Sequence, residues 1–258
     1  MSILKVENLG ISFGGLVALD EVRFKMEREQ IYSLIGPNGA GKTTVFNCIT
    51  RIYKPKKGAI EFEGHNVLRM APHRIAALGI ARTFQNIELF SNMTVMDNLL
   101  LARQRLKRSN LLTEMMFLPS VRRQEVTWRK SIEEIIDFLD LHPFRETKVI
   151  NLPYGTRKLV ELGRALALEP KLLLLDEPSS GMNLEEKEDL GITIKDIQRY
   201  LKVSVLMVEH DMNLVMQISD RVCALNYGRV IAEGLPEEVQ RNNEVIQAYL
   251  GEENGSIA

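Results

Sequence analysis

A glycine-rich stretch, GPNGAGKTT, occupies residues 36–44 of the chain. Glycines at this spacing let backbone N–H groups converge on phosphate oxygens, and the start of a following helix adds its positive dipole end. Lys42 can reach the β- and γ-phosphates, and the hydroxyl of Thr43 can coordinate the accompanying Mg²⁺. The alternative is a glycine-rich turn that happens to end in Lys-Thr. A buried strand predicted at 31–35 and a helix predicted at 44–50 supply the context that the motif requires, so a nucleoside triphosphate site is favoured. Its predicted phosphate-binding residues are Gly36, Pro37, Asn38, Gly39, Ala40, Gly41, Lys42, Thr43 and Thr44.

Two adjacent carboxylates, Asp176 and Glu177, follow a run of four leucines at 172–175. Because side chains alternate along a strand, the two should have different tasks. Asp176 can approach the Mg²⁺ bound at Thr43, and Glu177 can face a water in line with the γ-phosphate as its general base. An acidic pair after a leucine run is, by itself, a common exposed strand end. Downstream of a phosphate-binding loop it indicates hydrolysis.

The elements that must position these residues follow a β-rich, then helical, then α/β order. Apolar runs of strand character open the chain, longer helical periods follow, and short apolar strands alternating with helices close it. The predicted strands are 4–9, 22–26, 59–62, 172–175 and 203–208, and the predicted helices are 95–106, 131–141 and 185–200, with an interruption at 118–120.

Composition narrows the class of protein. A chain of 258 residues with 45% hydrophobic content can bury one substantial core. A net charge of −1 and an aromatic content of 6% argue against a nucleic-acid partner. No apolar run approaches the roughly eighteen residues that span a bilayer, and the first residues lack signal-peptide character, so we expect a cytoplasmic protein. The isolated Cys48 and Cys223 are expected to be buried, and the four scattered histidines give little support to a histidine metal site.

With these motifs in place, the chain resembles the ATP-binding subunit of an ABC transporter over nearly its full length. The family's Q-loop matches RTFQ at 82–85, and its histidine switch matches VEHD at 208–211. The resemblance implies that Gln85 senses Mg²⁺ and the attacking water, and that His210 hydrogen-bonds the γ-phosphate. It also implies that Phe13 stacks on adenine, although a lone phenylalanine could equally be a core residue.

The family signature precedes a helix and here reads LPYGT at 152–156. Pro153 and Tyr154 replace the serine and first glycine of the usual LSGGQ, while Gly155 is retained. Tyr154 and Gly155 are expected to face ATP held by another subunit. Loss of the serine hydroxyl would cost about 1.5–3 kcal/mol, which weakens catalysis without abolishing it. Two smaller departures are Asn183, where the family more often has Asp, and Arg51, where it usually has Gly.

The resemblance implies an α/β fold: a P-loop NTPase (RecA-like) core with an N-terminal antiparallel β-subdomain and an inserted α-helical subdomain. One ABC ATPase domain would span 1–258, with the nucleotide-binding core at 1–87 and 166–258 and the helical subdomain at 88–165. ATP and Mg²⁺ are the implied cofactors. The implied partners are transmembrane permease subunits, a second ATPase subunit that is either another copy or a homologous chain, and indirectly a solute-binding protein. The expected location is the cytoplasmic face of the inner membrane.

Within this family the chain most resembles the LivG type, which serves branched-chain amino acid uptake. The Tyr-Gly signature, the Gly-Met-Asn sequence at 181–183, the long insert at 103–130 and the ending at 242–251 carry that resemblance. Three alternatives stay open: the ATPase of lipopolysaccharide export or urea uptake, a soluble ABC-type ATPase such as an iron–sulfur assembly factor, and a protein that binds ATP without turnover. Pro153 and Asn183 motivate the last, and the intact Lys42, Glu177 and His210 count against it.

The insert at 103–130 is basic, with eight Lys or Arg residues against two glutamates. Its basic clusters flank an apolar patch at 111–118, so the segment could lie near anionic lipid headgroups. The alternative, which we favour, is a solvated helical face over an ordinary buried patch.

Overall fold

The computed structural model describes residues 2–83, 85, 87–104 and 119–255. The chain divides into two compact units, Met1–Arg82 with Lys171–Ala258, and Thr83–Pro170. The predicted division into a nucleotide-binding core and a helical subdomain, with boundaries at 87/88 and 165/166, stays a prediction. The central part of the basic insert, residues 105–118, lies outside the described residues.

The first unit opens with an antiparallel sheet that contains all three strands predicted at the start of the chain. Its strand order is β2-β1-β4-β5. Leu4 and Val6 of β1 are buried opposite Met26 and Phe24 of β2, so one face of this hairpin packs into the core. The strands are β1 (Ser2–Phe13), β2 (Leu16–Glu27), β4 (Lys57–Phe62) and β5 (His65–Asn66).

A second, six-stranded sheet in the same unit has the order β10-β9-β3-β8-β7-β6. Its pairs are parallel except for β9 with β10. Every residue of β3, β7 and β8 is buried, as expected for central strands of a parallel sheet. The carboxyl ends of these three strands therefore share one edge, where ligand sites of such sheets form. The strands are β3 (Ile31–Ile35), β6 (Ile80–Arg82), β7 (Leu172–Asp176), β8 (Ser204–Val208), β9 (Arg221–Asn226) and β10 (Arg229–Gly234).

Helices complete the first unit, together with short 3₁₀ turns at Val67–Arg69 and Ala76–Leu78. The helix predicted at 185–200 is confirmed with slightly wider bounds. The helices are α1 (Lys42–Ile49), α2 (Pro72–Ile75), α6 (Leu184–Leu201), α7 (Met212–Ile218), α8 (Pro236–Gln240) and α9 (Asn243–Gly255).

The second unit is helical and contains α3 (Val95–Arg103), α4 (Pro119–Phe138) and α5 (Tyr154–Leu166), with 3₁₀ turns at His142–Phe144 and Val149–Asn151. The predicted interruption at 118–120 is wrong for Pro119 and Ser120, which are the first residues of α4, whereas Leu118 lies outside the described residues. A proline suits the first helical position, where its missing N–H would have had no partner within the helix.

Both cysteines are fully buried in the first unit. Burial raises the pKa of Cys48 to about 11 and that of Cys223 to about 12. The thiols are therefore protonated near neutral pH and act as small apolar core groups. Within the part of the chain that the structure describes, no helix has both the length and the apolar character needed to cross a membrane.

Candidate active site

The glycine-rich loop joins β3 to α1 and turns so tightly that two of its positions accept only glycine. Gly36 has φ 141°, and a Cβ there would lie 2.1 Å from the carbonyl oxygen of Leu225. Gly41 has φ 104°, and a Cβ there would lie 2.7 Å from the side chain of Leu19. A side chain at either position would collide with a residue of a neighbouring strand, so the fold requires glycine at both.

Lys42 is the first residue of α1, and its side chain turns back under the loop. Its Nζ donates hydrogen bonds to the carbonyl oxygens of Gly36 at 2.6 Å and Pro37 at 2.9 Å, and the residue is only 5% exposed. Among the described residues, none caps α1 with a side-chain hydrogen bond. The first-turn N–H groups and the ammonium therefore form a positive site beside the exposed Thr43.

Asp176 ends β7 and is held by an arginine from the neighbouring strand. Its Oδ2 accepts a hydrogen bond from Nη2 of Arg82 at 2.7 Å, and both side chains are buried. Nη1 of Arg82 donates to Oδ1 of Asn47 on α1 at 2.8 Å. One guanidinium thus fixes the predicted metal-binding carboxylate relative to the helix that begins with Lys42 and Thr43.

Glu177 and His210, predicted separately, are brought together. Oε1 of Glu177 lies 2.8 Å from Nε2 of His210. The backbone of Glu177 has φ 49°, and its N–H donates to the carbonyl oxygen of Val208 at 2.9 Å. The contact orients the glutamate carboxylate and the imidazole relative to each other, beyond the carboxyl ends of the neighbouring strands β7 and β8.

Glu209 is a buried residue of the site that lies within the predicted histidine switch but received no role from the sequence. It is 2% exposed, and its Oε1 accepts a hydrogen bond from the N–H of Ser179 at 2.9 Å. Its Oε2 accepts from the N–H groups of His210 at 2.9 Å and Asp211 at 3.3 Å. This carboxylate therefore joins the segment after β7 to the segment after β8. The available signal was a glutamate directly after the wholly apolar run at 205–208.

Gln85, Tyr154 and Gly155 belong to the second unit. The exposed Gln85 is tied to α5 because its backbone oxygen accepts a hydrogen bond from Nζ of the buried Lys158 at 3.0 Å. Tyr154 is the first residue of α5 and is 44% exposed, whereas Gly155 is buried. The amino end of α5, which carries the predicted signature, and the predicted Q-loop glutamine are thus linked through one lysine.

Phe13 ends β1 and is not a core residue, since it is 44% exposed. The ring of Phe13 contacts the ring of Tyr53 in an edge-to-face arrangement, with the ring centroids 4.9 Å apart. The core alternative for Phe13 is therefore wrong, and adenine stacking stays a prediction.

The two departures from family pattern have local structural explanations. Asn183 caps α6 through a reciprocal pair: its Oδ1 accepts from the N–H of Glu186 at 3.0 Å, and its own N–H donates to Oε2 of Glu186 at 2.9 Å. Asn and Asp cap helices about equally well, so the missing charge leaves the cap intact. Arg51 has φ 63°, a conformation that favours glycine, and its Nε donates to the carbonyl oxygen of Met70 at 3.3 Å.

Two protein-family models match parts of this chain. A family model described as ABC transporter matches residues 19–180, which include the phosphate loop, the signature and both carboxylates after β7. The chain belongs to the ABC transporter family. A second model, described as Branched-chain amino acid ATP-binding cassette transporter, matches residues 229–254.

Curated ABC relatives match almost end to end. The chain is 42% identical over 250 residues to the high-affinity branched-chain amino acid transport ATP-binding protein BraF of Pseudomonas aeruginosa, covering 97% of this chain and 98% of that protein. It is 39% identical over 250 residues, with the same coverage, to the corresponding LivG of Escherichia coli.

Solved ABC structures match the fold. A nucleotide-free ATP-binding cassette from an ABC transporter superposes with a TM-score of 0.83 at 30% identity, covering 96% of this chain and 99% of that one. An ABC cassette in its ADP conformation gives a TM-score of 0.85 at 30% identity, covering 97% and 99%. The predicted ABC resemblance and the predicted fold class are confirmed, and the chain is an ATP hydrolase of the ABC type.

Proposed function

We propose that the chain is the ATP-hydrolysing subunit of an importer of branched-chain amino acids. The observation that carries the proposal is the pairing of a glycine-imposed phosphate loop around Lys42 with the Glu177–His210 contact in one unit. The proposed solute draws its support from the second family match at 229–254 and from the names of the 42% and 39% identical relatives. These relatives favour amino-acid import over lipopolysaccharide export, urea uptake or iron–sulfur assembly.

The residues fit a nucleotide with Mg²⁺. The buried ammonium of Lys42 and the uncapped amino end of α1 suit the phosphates, and the half-exposed ring of Phe13 suits adenine. Magnesium in such sites takes one or two carboxylates plus phosphate oxygens, which suits Asp176 with the hydroxyl of Thr43. Gln85, in the second unit, stays a predicted further ligand. When bound, the ion would neutralise charge on the phosphates.

Hydrolysis places Glu177 and His210 in different roles. A water oxygen attacks the γ-phosphorus, Glu177 accepts the proton of that water, and the bond to ADP breaks. His210 would hydrogen-bond the γ-phosphate, and the 2.8 Å contact between its Nε2 and Oε1 of Glu177 holds the carboxylate in one orientation. Lys42 and the N–H groups of the loop would stabilise charge that develops on the phosphate oxygens.

The amino end of α5, with the exposed Tyr154 and the buried Gly155, would face ATP held by a second ATPase chain. That second chain would be another copy or a homologous ATPase. We place the assembly at the cytoplasmic face of the inner membrane, where permease subunits would convert closure of the ATPase pair into transport and receive solute from a binding protein.

Replacement of Lys42 by alanine tests the proposal. Lys42→Ala removes charge-assisted contacts to phosphate, so we expect ATP affinity to fall by about 1.5–3 kcal/mol, which is tenfold or more. Uptake of labelled leucine by cells that express the chain with its natural permeases should fall with it. Titration calorimetry on the purified chain and uptake assays measure the two effects.

The matched control is Lys195→Ala, which removes an exposed lysine from α6. It should leave both ATP affinity and uptake unchanged. Equal ATP affinity in Lys42→Ala would contradict the phosphate-loop assignment. Normal leucine uptake in cells that lack the chain would contradict the proposed solute while leaving the ATP site intact.

A further inference from the structure

The C-terminal helix α9 is built to present Tyr249 to the first unit. Oδ1 of Asn242 accepts hydrogen bonds from the N–H groups of Glu244 at 2.8 Å and Val245 at 3.4 Å, which caps the helix. Val245 is 3% exposed, and α9 packs against β10 and α8. Tyr249 follows Val245 by four residues and so projects from the same face of the helix.

The hydroxyl of Tyr249 contacts the base of the phosphate loop. It accepts a hydrogen bond from the N–H of Gly36 at 2.8 Å, across 213 positions in the sequence. The carbonyl oxygen of the same glycine accepts the 2.6 Å hydrogen bond from Nζ of Lys42. Both backbone polar groups of Gly36 are therefore hydrogen-bonded. Its N–H bonds to Tyr249 of the C-terminal helix, and its carbonyl oxygen bonds to the phosphate-binding lysine.

The hydrogen bond from Gly36 to Tyr249 restricts the backbone at the start of the phosphate loop. β3 ends at Ile35, so the N–H of Gly36 lies just beyond the strand and is oriented by Tyr249. Glycine has more backbone freedom than any other residue, and this one already adopts φ 141°. A hydrogen bond that restricts it lowers the entropy that the loop loses when it closes on phosphate.

We propose that Tyr249 is a positioning residue for nucleotide binding: α9 fixes the phosphate loop through Gly36 and thereby raises the affinity for the phosphates of ADP and ATP. This inference rests on the proposed assignment of the loop as the phosphate site. It gives a role in the ATP site to the segment matched at 229–254, which lies outside the family match at 19–180.

Removal of the hydroxyl alone tests the proposal in the full-length chain. Tyr249→Phe keeps the ring, so we expect α9 to stay packed while the dissociation constant for ADP rises about three- to tenfold, the range for one lost neutral hydrogen bond. Amide hydrogen exchange at Gly36 should accelerate in the ADP-free protein. Titration calorimetry with ADP and exchange followed by NMR measure these two effects, and thermal unfolding is recorded alongside.

The matched control is Tyr200→Phe, which removes an exposed hydroxyl from α6. It should change neither the ADP affinity nor the exchange at Gly36. Unchanged ADP affinity in Tyr249→Phe would overturn the proposal, as would a loss of thermal stability without faster exchange at Gly36. Failure of the unmodified chain to bind ADP would instead contradict the proposed phosphate site itself.

Discussion

Glu177, the proposed general base, has a strained backbone. Its φ of 49° lies in the left-handed region, which costs a residue with a Cβ roughly 1–2 kcal/mol. The N–H bond to Val208 and the side-chain contact with His210 hold it there. These two contacts fix the backbone of Glu177 and the direction of its carboxylate.

Glu177→Gln should separate binding from chemistry. Glutamine retains an oxygen that can accept from Nε2 of His210 but cannot take a proton from water, so we expect ATP binding to persist and turnover to fall about 10²- to 10⁴-fold. ATP should then hold a closed ATPase pair together. Phosphate release and gel filtration with Mg-ATP measure turnover and pairing.

Glu188→Gln, an exposed carboxamide substitution on α6, is the control and should hydrolyse ATP normally. Unchanged turnover in Glu177→Gln would remove the general-base role from this residue.

Some residues of this site could be predicted from the sequence, and others could not, because their partners lie far away along the chain. Lys42, Asp176 and Glu177 could be predicted because short motifs carry them. Arg82, Glu209 and Tyr249 could not be given their contacts, since the groups they bind lie 94, 30 and 213 positions away. The fold brings those partners within hydrogen-bond distance: β6 lies beside β7, β7 lies beside β8, and α9 packs on the same unit.

At the scale of elements, α6 and α7 are joined where α7 begins. Asp211 caps α7 by accepting from the N–H groups of Asn213 at 3.0 Å and Leu214 at 3.2 Å. It also accepts a 2.7 Å hydrogen bond from Lys187 of α6, and this ion pair is partly exposed. One carboxylate thus serves as helix cap and as link between the two helices.

This link should make stability depend on acid pH. The hydrogen bond from Lys187 lowers the pKa of Asp211 below its ordinary value of 3.8. A lowered carboxyl pKa gives stability that is present above 3.8 and is lost as the pH falls through the folded-state pKa. Asp211→Asn keeps a capping oxygen, so we expect it to lose about 0.5–1 kcal/mol near neutral pH and to weaken less steeply in acid.

Urea unfolding of both proteins across that acid range measures the difference. Asp189→Asn, which changes an exposed carboxylate on α6, should follow the unmodified protein. A parallel decline of Asp211→Asn and the unmodified chain would show that Asp211 carries none of the acid sensitivity.

Elements with a strong hydrophobic pattern could be predicted from the sequence. Helix boundaries that are marked only by a proline could not. The buried strand at 31–35 matches β3 in full, because five apolar or small residues between turn signals leave few alternatives. Pro119 was read as a break, yet it begins α4. A proline signals a helix boundary without telling which side of it is helical, and the polar sequence after Pro119 gave little help.

At the scale of the whole molecule, the residues proposed to take part in turnover are distributed over two units. The phosphate loop, Asp176, Glu177 and His210 lie in the first, and the amino end of α5 lies in the second. If α5 serves the ATP of another chain, an isolated chain has the means to bind ATP but lacks part of what hydrolysis needs. Turnover would then be a property of the assembly.

We therefore expect the ATPase rate per chain to rise with protein concentration, or on addition of a partner ATPase with the permeases, while ATP binding per chain stays constant. Tyr154→Asp should abolish that rise, because it places a carboxylate at the exposed first residue of α5, where it would repel phosphate. Phosphate release measured over a concentration series checks this. A rate per chain that is independent of concentration and of partners would show that one chain contains a complete site.

The buried carboxylate of Glu209 constrains how spent products can leave. It accepts N–H groups from the segments that follow β7 and β8. Separating these segments would leave the buried carboxylate and the buried N–H of Ser179 without partners, at a cost of roughly 1–3 kcal/mol for each. Ser179 and His210 should consequently travel as one rigid block through the catalytic cycle. The opening that frees ADP and phosphate must then arise elsewhere, by retreat of a neighbouring surface from this block.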